Sequence, residues 1–118
     1  MTHEEFFSLL ETREIIDTAV VETENYYKAE LPEMIKKIVS LSMESEFVDD
    51  KRLLSLKEIL AADKELGTDF VVRKLIPIFD GMDNDFIVYD LQEKNWALFN
   101  IVDLCQFGKR DALSAYFE

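Results

Sequence analysis

The spacing of apolar residues changes once along this chain, and the change limits the folds that the chain can adopt. Up to Gly67 the apolar residues recur every three or four positions, which is the period of an amphipathic helix. From Val71 to Val102 they alternate or run continuously and are rich in β-branched and aromatic types, as in strands. Helices grouped apart from a run of strands predict an α+β fold with an antiparallel meander, rather than a parallel βαβ sheet. We expect one domain spanning residues 1–118, since a chain of 118 residues is long enough to bury a single core.

Two helices are predicted in the first third of the chain. The first begins at Thr2, which has capping-box spacing to Glu5, and its apolar face continues to Val20. The second opens at Leu31-Pro32-Glu33, because proline suits the first position of a helix. Its apolar pattern fades within residues 40–45, where we expect it to end.

Two further helices are predicted later in the chain. Ser55 and Glu58 form a second capping box, and Gly67 is expected to end that helix in the left-handed conformation. The segment Glu46–Leu54 before it reads as a loop with a short strand. A last short helix is expected over Arg110–Phe117.

The region between these last two helices is predicted to form the meander, with strands over Val71–Phe79, Phe86–Leu91 and Trp96–Val102. Pro77 indicates a strand edge or a strand start, because it cannot donate to a ladder. The segment Asp80–Asp85 is predicted to be a turn, in which Gly81 and Asn84 are the residues able to take positive φ.

Three sequence features predict burial around the meander. Trp96 is the only tryptophan and is expected in the core. Cys105, the only cysteine, is expected to be a buried small apolar residue. The strand Phe86–Leu91 has apolar residues on both faces, so either helices cover both faces or one face keeps an exposed patch for a partner.

The formal net charge of −12 narrows the ligands that the chain can take. Nucleic acid and anionic membrane surfaces are unfavourable, since both need a basic surface. A basic protein would be attracted. The N-terminus is acidic and no long apolar run is present, so neither a signal peptide nor a membrane span is predicted, and we expect a cytoplasmic protein.

Acidic residues are concentrated between Asp80 and Glu93, where no basic residue offsets them. We interpret this stretch as a candidate partner-binding site, composed of Asp80, Asp83, Asp85, Asp90 and Glu93. Two other interpretations stay open: the turn Asp80–Asp85 serves only to reverse the chain, or its oxygens bind a cation or form a carboxylate pair.

Few residues in the chain could carry catalysis. His3 is the only histidine and is expected in a frayed first turn. No glycine-rich phosphate loop and no metal-ligand spacing are present in the sequence. We therefore predict no enzyme, no catalytic residues, no metal and no cofactor. A small metal-dependent hydrolase built on Asp80–Asp85 is the remote alternative.

The order of several short motifs resembles the SUKH superfamily, which includes the Smi/Knr type of cell-wall regulator. The resemblance covers residues 31–100 and rests on these segments in order: Leu31-Pro32, Ser55-Leu56-Lys57-Glu58-Ile59, Leu75-Ile76-Pro77-Ile78, the turn Asp80–Asp85, Phe86–Leu91 and Trp96. The chain departs from the family pattern at Ser42–Ser45, where members often have Asn-Gly-Gly, and at Asp83-Asn84, where paired glycines are common.

The resemblance implies an α+β fold without enzymatic activity. In bacteria it implies an immunity protein that neutralises a toxin by direct binding, and many such toxins are nucleases with basic surfaces. The alternative that it implies is a regulatory or scaffold module that binds a cellular protein.

Overall fold

The fold of this chain is α+β, as predicted, with N-terminal helices, an antiparallel sheet and a short C-terminal helix; the first two strands of the sheet come between the third and fourth helices. The structure is a computed structural model that describes residues 1–117; Glu118, the last residue of the predicted domain, lies outside them. The helices are α1 (His3–Thr12), α2 (Asp17–Tyr27), α3 (Glu33–Leu41), α4 (Leu56–Leu66) and α5 (Phe70–Arg73), with a final 3₁₀-helix (Leu113–Phe117). The strands are β1 (Glu46–Val48), β2 (Lys51–Leu53), β3 (Leu75–Asp80), β4 (Asp85–Asp90), β5 (Asn95–Asn100) and β6 (Cys105–Arg110). No helix among residues 1–117 is both long and apolar enough to cross a membrane.

The six strands form one antiparallel sheet in the order β1-β2-β3-β4-β5-β6, so every strand pairs with its neighbours in sequence. Two pairings explain how Pro77 is accommodated inside the sheet. The strand β2 reaches only Phe79 and Asp80 of β3, and the β3–β4 register shifts between Pro77 and Phe79. Pro77 therefore lies where β3 has no β2 neighbour, which fits the prediction of a strand edge at this point.

The two capping boxes are confirmed. Thr2 accepts a hydrogen bond from the Glu5 amide and Ser55 accepts one from the Glu58 amide. Gly67 ends α4 with φ of 67°.

The prediction of one helix from Thr2 to Val20 is wrong, because the chain breaks between α1 and α2. Arg13 is extended, and its Nη2 donates to the carbonyl of Ser40 at 2.7 Å. The amide of Ile16 donates to the Ser40 hydroxyl at 2.8 Å. Ser40 of α3 thus holds the linker between α1 and α2, and the helix does not continue. Leu9, a residue of the predicted apolar face, remains 42% exposed.

The prediction of strand structure from Val71 to Lys74 is also wrong, since α5 occupies most of this segment. The carboxylate of Asp63 accepts hydrogen bonds from the amides of Phe70 and Val71, at 2.6 and 3.2 Å. Lys74 then ends the turn with φ of 61°, and its Nζ donates to the carbonyl of Tyr27 at 2.8 Å. Contacts from α4 and α2 therefore override the β-branched composition of this segment.

Other elements cover both faces of the sheet near its centre. Residues directly opposite each other on neighbouring strands share a face. Phe79, in register with Ile87 of β4, has its ring against Phe6 of α1 at 5.4 Å between centroids. On the other face Phe99 has its ring against Phe70 of α5 at 5.2 Å. Trp96 is only 2% exposed, as predicted for the core.

Candidate functional site

The turn between β3 and β4 carries three of the five acids of the predicted site. The Asp80 carboxylate accepts a hydrogen bond from the Met82 amide at 2.9 Å. The Asp85 carboxylate accepts one from Asn100 Nδ2 at 2.8 Å. Asp83 is exposed, and its side chain has no hydrogen bond or ion pair within residues 1–117. Of these three acids, only Asp83 therefore has a carboxylate free of local bonds.

Positive φ angles in this turn occur at Met82, Asp83 and Asn84, so of the two residues able to take this conformation only Asn84 does. Gly81 has another reason to be glycine. Its amide donates to the Asp85 carbonyl at 2.9 Å, and a Cβ built on Gly81 would lie 2.8 Å from that same oxygen. Close backbone approach, rather than a left-handed conformation, therefore requires glycine here.

The other two acids of the predicted site lie at the opposite end of β4. Asp85 begins this strand and Asp90 ends it, so the two are separated by its whole length, about 17 Å for six residues. Asp90 is 6% exposed: its Oδ1 accepts the amides of Gln92 and Glu93, and its Oδ2 accepts Gln106 Nε2. Asp90 thus holds the β4–β5 turn, while Glu93 in that turn is exposed. The structure does not gather the five acids into one cluster.

One acid that sequence reasoning missed joins the Asp80–Asp85 end. The register places Asp85 opposite Asn100, and Asn100 opposite Cys105, so the β5–β6 turn begins at the same end of the sheet. Asp103 lies in that turn and is exposed, and its carboxylate is free of hydrogen bonds and ion pairs in the part of the chain that the structure describes. Met82, Val102 and Leu104 are exposed in the same two turns. We call Met82, Asp83, Val102, Asp103 and Leu104 the turn surface.

The β5–β6 turn and the strand β6 were not predicted, although the sequence contains a signal for them. Asn100 accepts the amides of Val102 and Asp103, just as Asp90 accepts those of Gln92 and Glu93. The fourth residue of each turn, Lys94 or Leu104, has positive φ. Asp90 and Asn100 are ten positions apart, and this repeat of an Asx residue predicts the second hairpin.

Cys105 is exposed at the start of β6, so the prediction of a buried cysteine is wrong. The reason is that β6 is an outer strand of the sheet. Phe107, two residues later, is likewise 41% exposed.

A groove of about 370 Å³ lies between α4 and the sheet, next to Asp80. Arg52 lines it and is engaged by acids: its Nη1 is 2.8 Å from Glu58 Oε2, and its Nη2 is 3.7 Å from Asp80 Oδ2. Burial raises the pKa of Glu58, but the Ser55 amide and the Arg52 guanidinium outweigh this and hold the pKa below its usual value. Arg52 offsets one of these two negative charges, and Asp83 and Asp103 are the carboxylates of the two turns that form no hydrogen bond or ion pair within residues 1–117.

His3 is fixed rather than frayed. Its Nδ1 lies 2.6 Å from Asp49 Oδ2, and its Nε2 lies 3.2 Å from Glu4 Oε1. No serine or cysteine of residues 1–117 is among its hydrogen-bond partners. Likewise, no three His, Cys, Asp or Glu side chains of the described part of the chain converge as metal ligands would.

Comparison of the chain with protein-family models, with curated proteins and with solved structures finds no match. The resemblance to the SUKH superfamily therefore remains a prediction from the order of the motifs.

Proposed function

We propose that this chain is a non-enzymatic protein-binding domain that acts in the cytoplasm as an immunity protein, neutralising a basic bacterial toxin domain by direct binding. The observation that carries the proposal is the turn surface, where two free carboxylates, Asp83 and Asp103, lie beside exposed Met82, Val102 and Leu104. Exposed apolar side chains that lie together with polar residues around them are typical of protein interaction surfaces.

The charge of the chain favours a basic partner. With a net charge of −12, long-range attraction speeds the encounter with a basic protein and disfavours an acidic one. A nuclease toxin suits this surface because a domain that binds phosphates needs positive charge. The motif order that resembles the SUKH superfamily supports the same class of partner.

The turn surface is placed on a rigid base. The Asp80 carboxylate fixes the turn at Met82, and Asn100 fixes both the second turn and the Asp85 side chain. Two neighbouring turns are thereby linked through one asparagine. A surface held in this way loses little conformational entropy on binding.

The proposal is tested in two stages. The tagged chain is used to capture partners from cells of its source organism, and each captured protein is then expressed alone in a bacterial host. We expect a captured protein that arrests growth when expressed alone and is harmless when co-expressed with this chain. A partner that leaves growth unaffected would instead indicate a regulatory or scaffold module and would overturn the immunity proposal.

A further inference from the structure

The two outer strands of the sheet differ in how their free edges are closed. At β1 the Met1 nitrogen donates to the Phe47 carbonyl at 2.9 Å, and the Met1 carbonyl accepts the Asp49 amide at 2.8 Å. At β6 only the second half is closed: the Gly108 carbonyl accepts Tyr116 Oη at 2.6 Å. An irregularity in the β5–β6 register and the positive φ of Gly108, 60°, also bend this half.

The first half of β6 has an open backbone edge. The Ile101 amide donates to the Asn84 carbonyl, so in the alternating antiparallel ladder the backbone groups of Asn100 point toward β6. The backbone amide and carbonyl of Cys105, opposite Asn100, therefore point toward β5. Those of Gln106 point away from β5, to the outer edge of the sheet. Within residues 1–117 the amide and carbonyl of Gln106 make no hydrogen bond across this outer edge. One donor and one acceptor are thus free to pair with another strand.

Exposed apolar side chains flank this open edge. Leu104 is 42% exposed and Phe107 is 41% exposed, on either side of Gln106. Asp103 precedes them with a free carboxylate, and Asp83 lies at the same end of the sheet. The edge therefore offers backbone hydrogen bonds, apolar contacts and negative charge to one extended segment.

We infer that the partner adds an extended, basic segment to the open half of β6, with its backbone paired to Gln106 and its cationic side chains beside Asp103. This inference rests on the proposed function for the nature of the partner and adds the mode of binding. Charge selects the occupant: two copies of this chain would each bring −12 to the contact, whereas a basic segment is attracted. Main-chain pairing at a sheet edge supplies affinity in this mode of recognition.

The first test uses a synthetic peptide of alternating lysine and valine and follows the backbone amide signals of the protein by NMR. We expect shifts concentrated at Cys105, Gln106 and Phe107. The control is the same peptide with an N-methyl group on every backbone nitrogen, which keeps its charge but has no backbone N–H to donate along either edge, and we expect it to leave those signals in place. Equal shifts with both peptides, or shifts centred elsewhere, would overturn the inference.

The second test compares Gln106→Pro with Gln106→Ala. Both variants lose the side-chain bond to Asp90, but only proline removes the outward amide hydrogen, and proline is tolerated where an edge amide faces solvent. We expect the lysine-valine peptide to bind Gln106→Pro about tenfold more weakly than Gln106→Ala, the loss of about one hydrogen bond. Equal affinity in the two folded variants would contradict strand addition. Self-association of the parent protein, seen as concentration-dependent sedimentation and abolished in Gln106→Pro, would instead show that a second copy occupies the edge.

These outcomes separate the inference from the function. A captured toxin that binds Gln106→Pro and Gln106→Ala equally leaves the immunity proposal standing and removes the edge as its site. Peptide binding at Gln106 without any captured toxin would support the edge as a binding site and would count against the immunity proposal.

Discussion

Asp90 provides the sharpest test of how the acidic stretch divides into structural and free carboxylates. The side chain is 6% exposed and accepts three hydrogen bonds, from the amides of Gln92 and Glu93 and from Gln106 Nε2, at 2.9, 3.0 and 2.9 Å. The bond from Gln106 joins the β4–β5 turn to β6. Removing the carboxylate therefore loosens both a turn and a contact between strands.

The expected size of the effect follows from these bonds. Loss of a side-chain cap on backbone amides typically costs about 1 kcal/mol, and a hydrogen bond to a charged group contributes about 1.5–3 kcal/mol. We expect Asp90→Ala to lower the free energy of unfolding by about 2–4 kcal/mol. At about 4 °C per kcal/mol for a domain of this size, the melting temperature should fall by about 8–16 °C.

Asparagine at the same position is the matched variant. Asn100 already holds the equivalent turn with its Oδ1, so Asp90→Asn should keep the turn bonds, and Gln106 can turn its amide to restore the third. We expect Asp90→Asn to lose less than about 1 kcal/mol. Thermal and denaturant unfolding measure both variants, with Asp83→Ala as an exposed control. An alanine variant as stable as the parent would refute the structural role of Asp90.

Two further predictions concern the core. Trp96→Ala should lower the free energy of unfolding by about 3–5 kcal/mol in a denaturant titration, because the side chain is 2% exposed. Phe47→Ala is the control: its side chain is 50% exposed, and the loss should be less than about 1 kcal/mol. Tyr27 is 1% exposed and its hydroxyl has no hydrogen-bond partner within residues 1–117, so Tyr27→Phe should be neutral or stabilising. Burial raises the pKa of Tyr27 in the folded state, so its contribution to stability is full below the unfolded-state pKa of about 10 and falls as the pH rises above it. Urea melts at increasing alkaline pH should show a smaller loss of stability for Tyr27→Phe than for the parent, and equal losses would count against the assignment.

Local signals in the sequence predicted the elements that depend on local chemistry. The two capping boxes, the left-handed end of α4 at Gly67 and the central strands all follow from residues within a few positions of each other. The break after α1 does not, because it depends on Ser40, which lies 24 positions beyond Ile16. The end of α5 depends in the same way on Tyr27, whose carbonyl accepts a hydrogen bond from the Lys74 ammonium, 47 positions away.

The candidate site shows the same division. Density of acids along the sequence drew attention to Asp80–Glu93, but a strand of six residues separates the two ends of that stretch in space. Asp103 was missed because β6 was missed, and only the pairing of β5 with β6 brings its turn to the Asp83 end. Proximity between turns is a property of strand register, which sequence spacing alone does not reveal.

The association rate of the captured partner tests the central claim most directly. The variant Asp83→Asn/Asp103→Asn removes the free charges of the turn surface, and Glu30→Gln/Glu93→Gln removes two exposed charges from the other end of β4, so both change the net charge equally. At about 0.01 M salt, where the Debye length is about 30 Å, we expect the first variant to associate several-fold more slowly than the second, and we expect this difference to vanish near 1 M. Equal rates for the two variants at low salt would contradict the claim that the turn surface receives the partner.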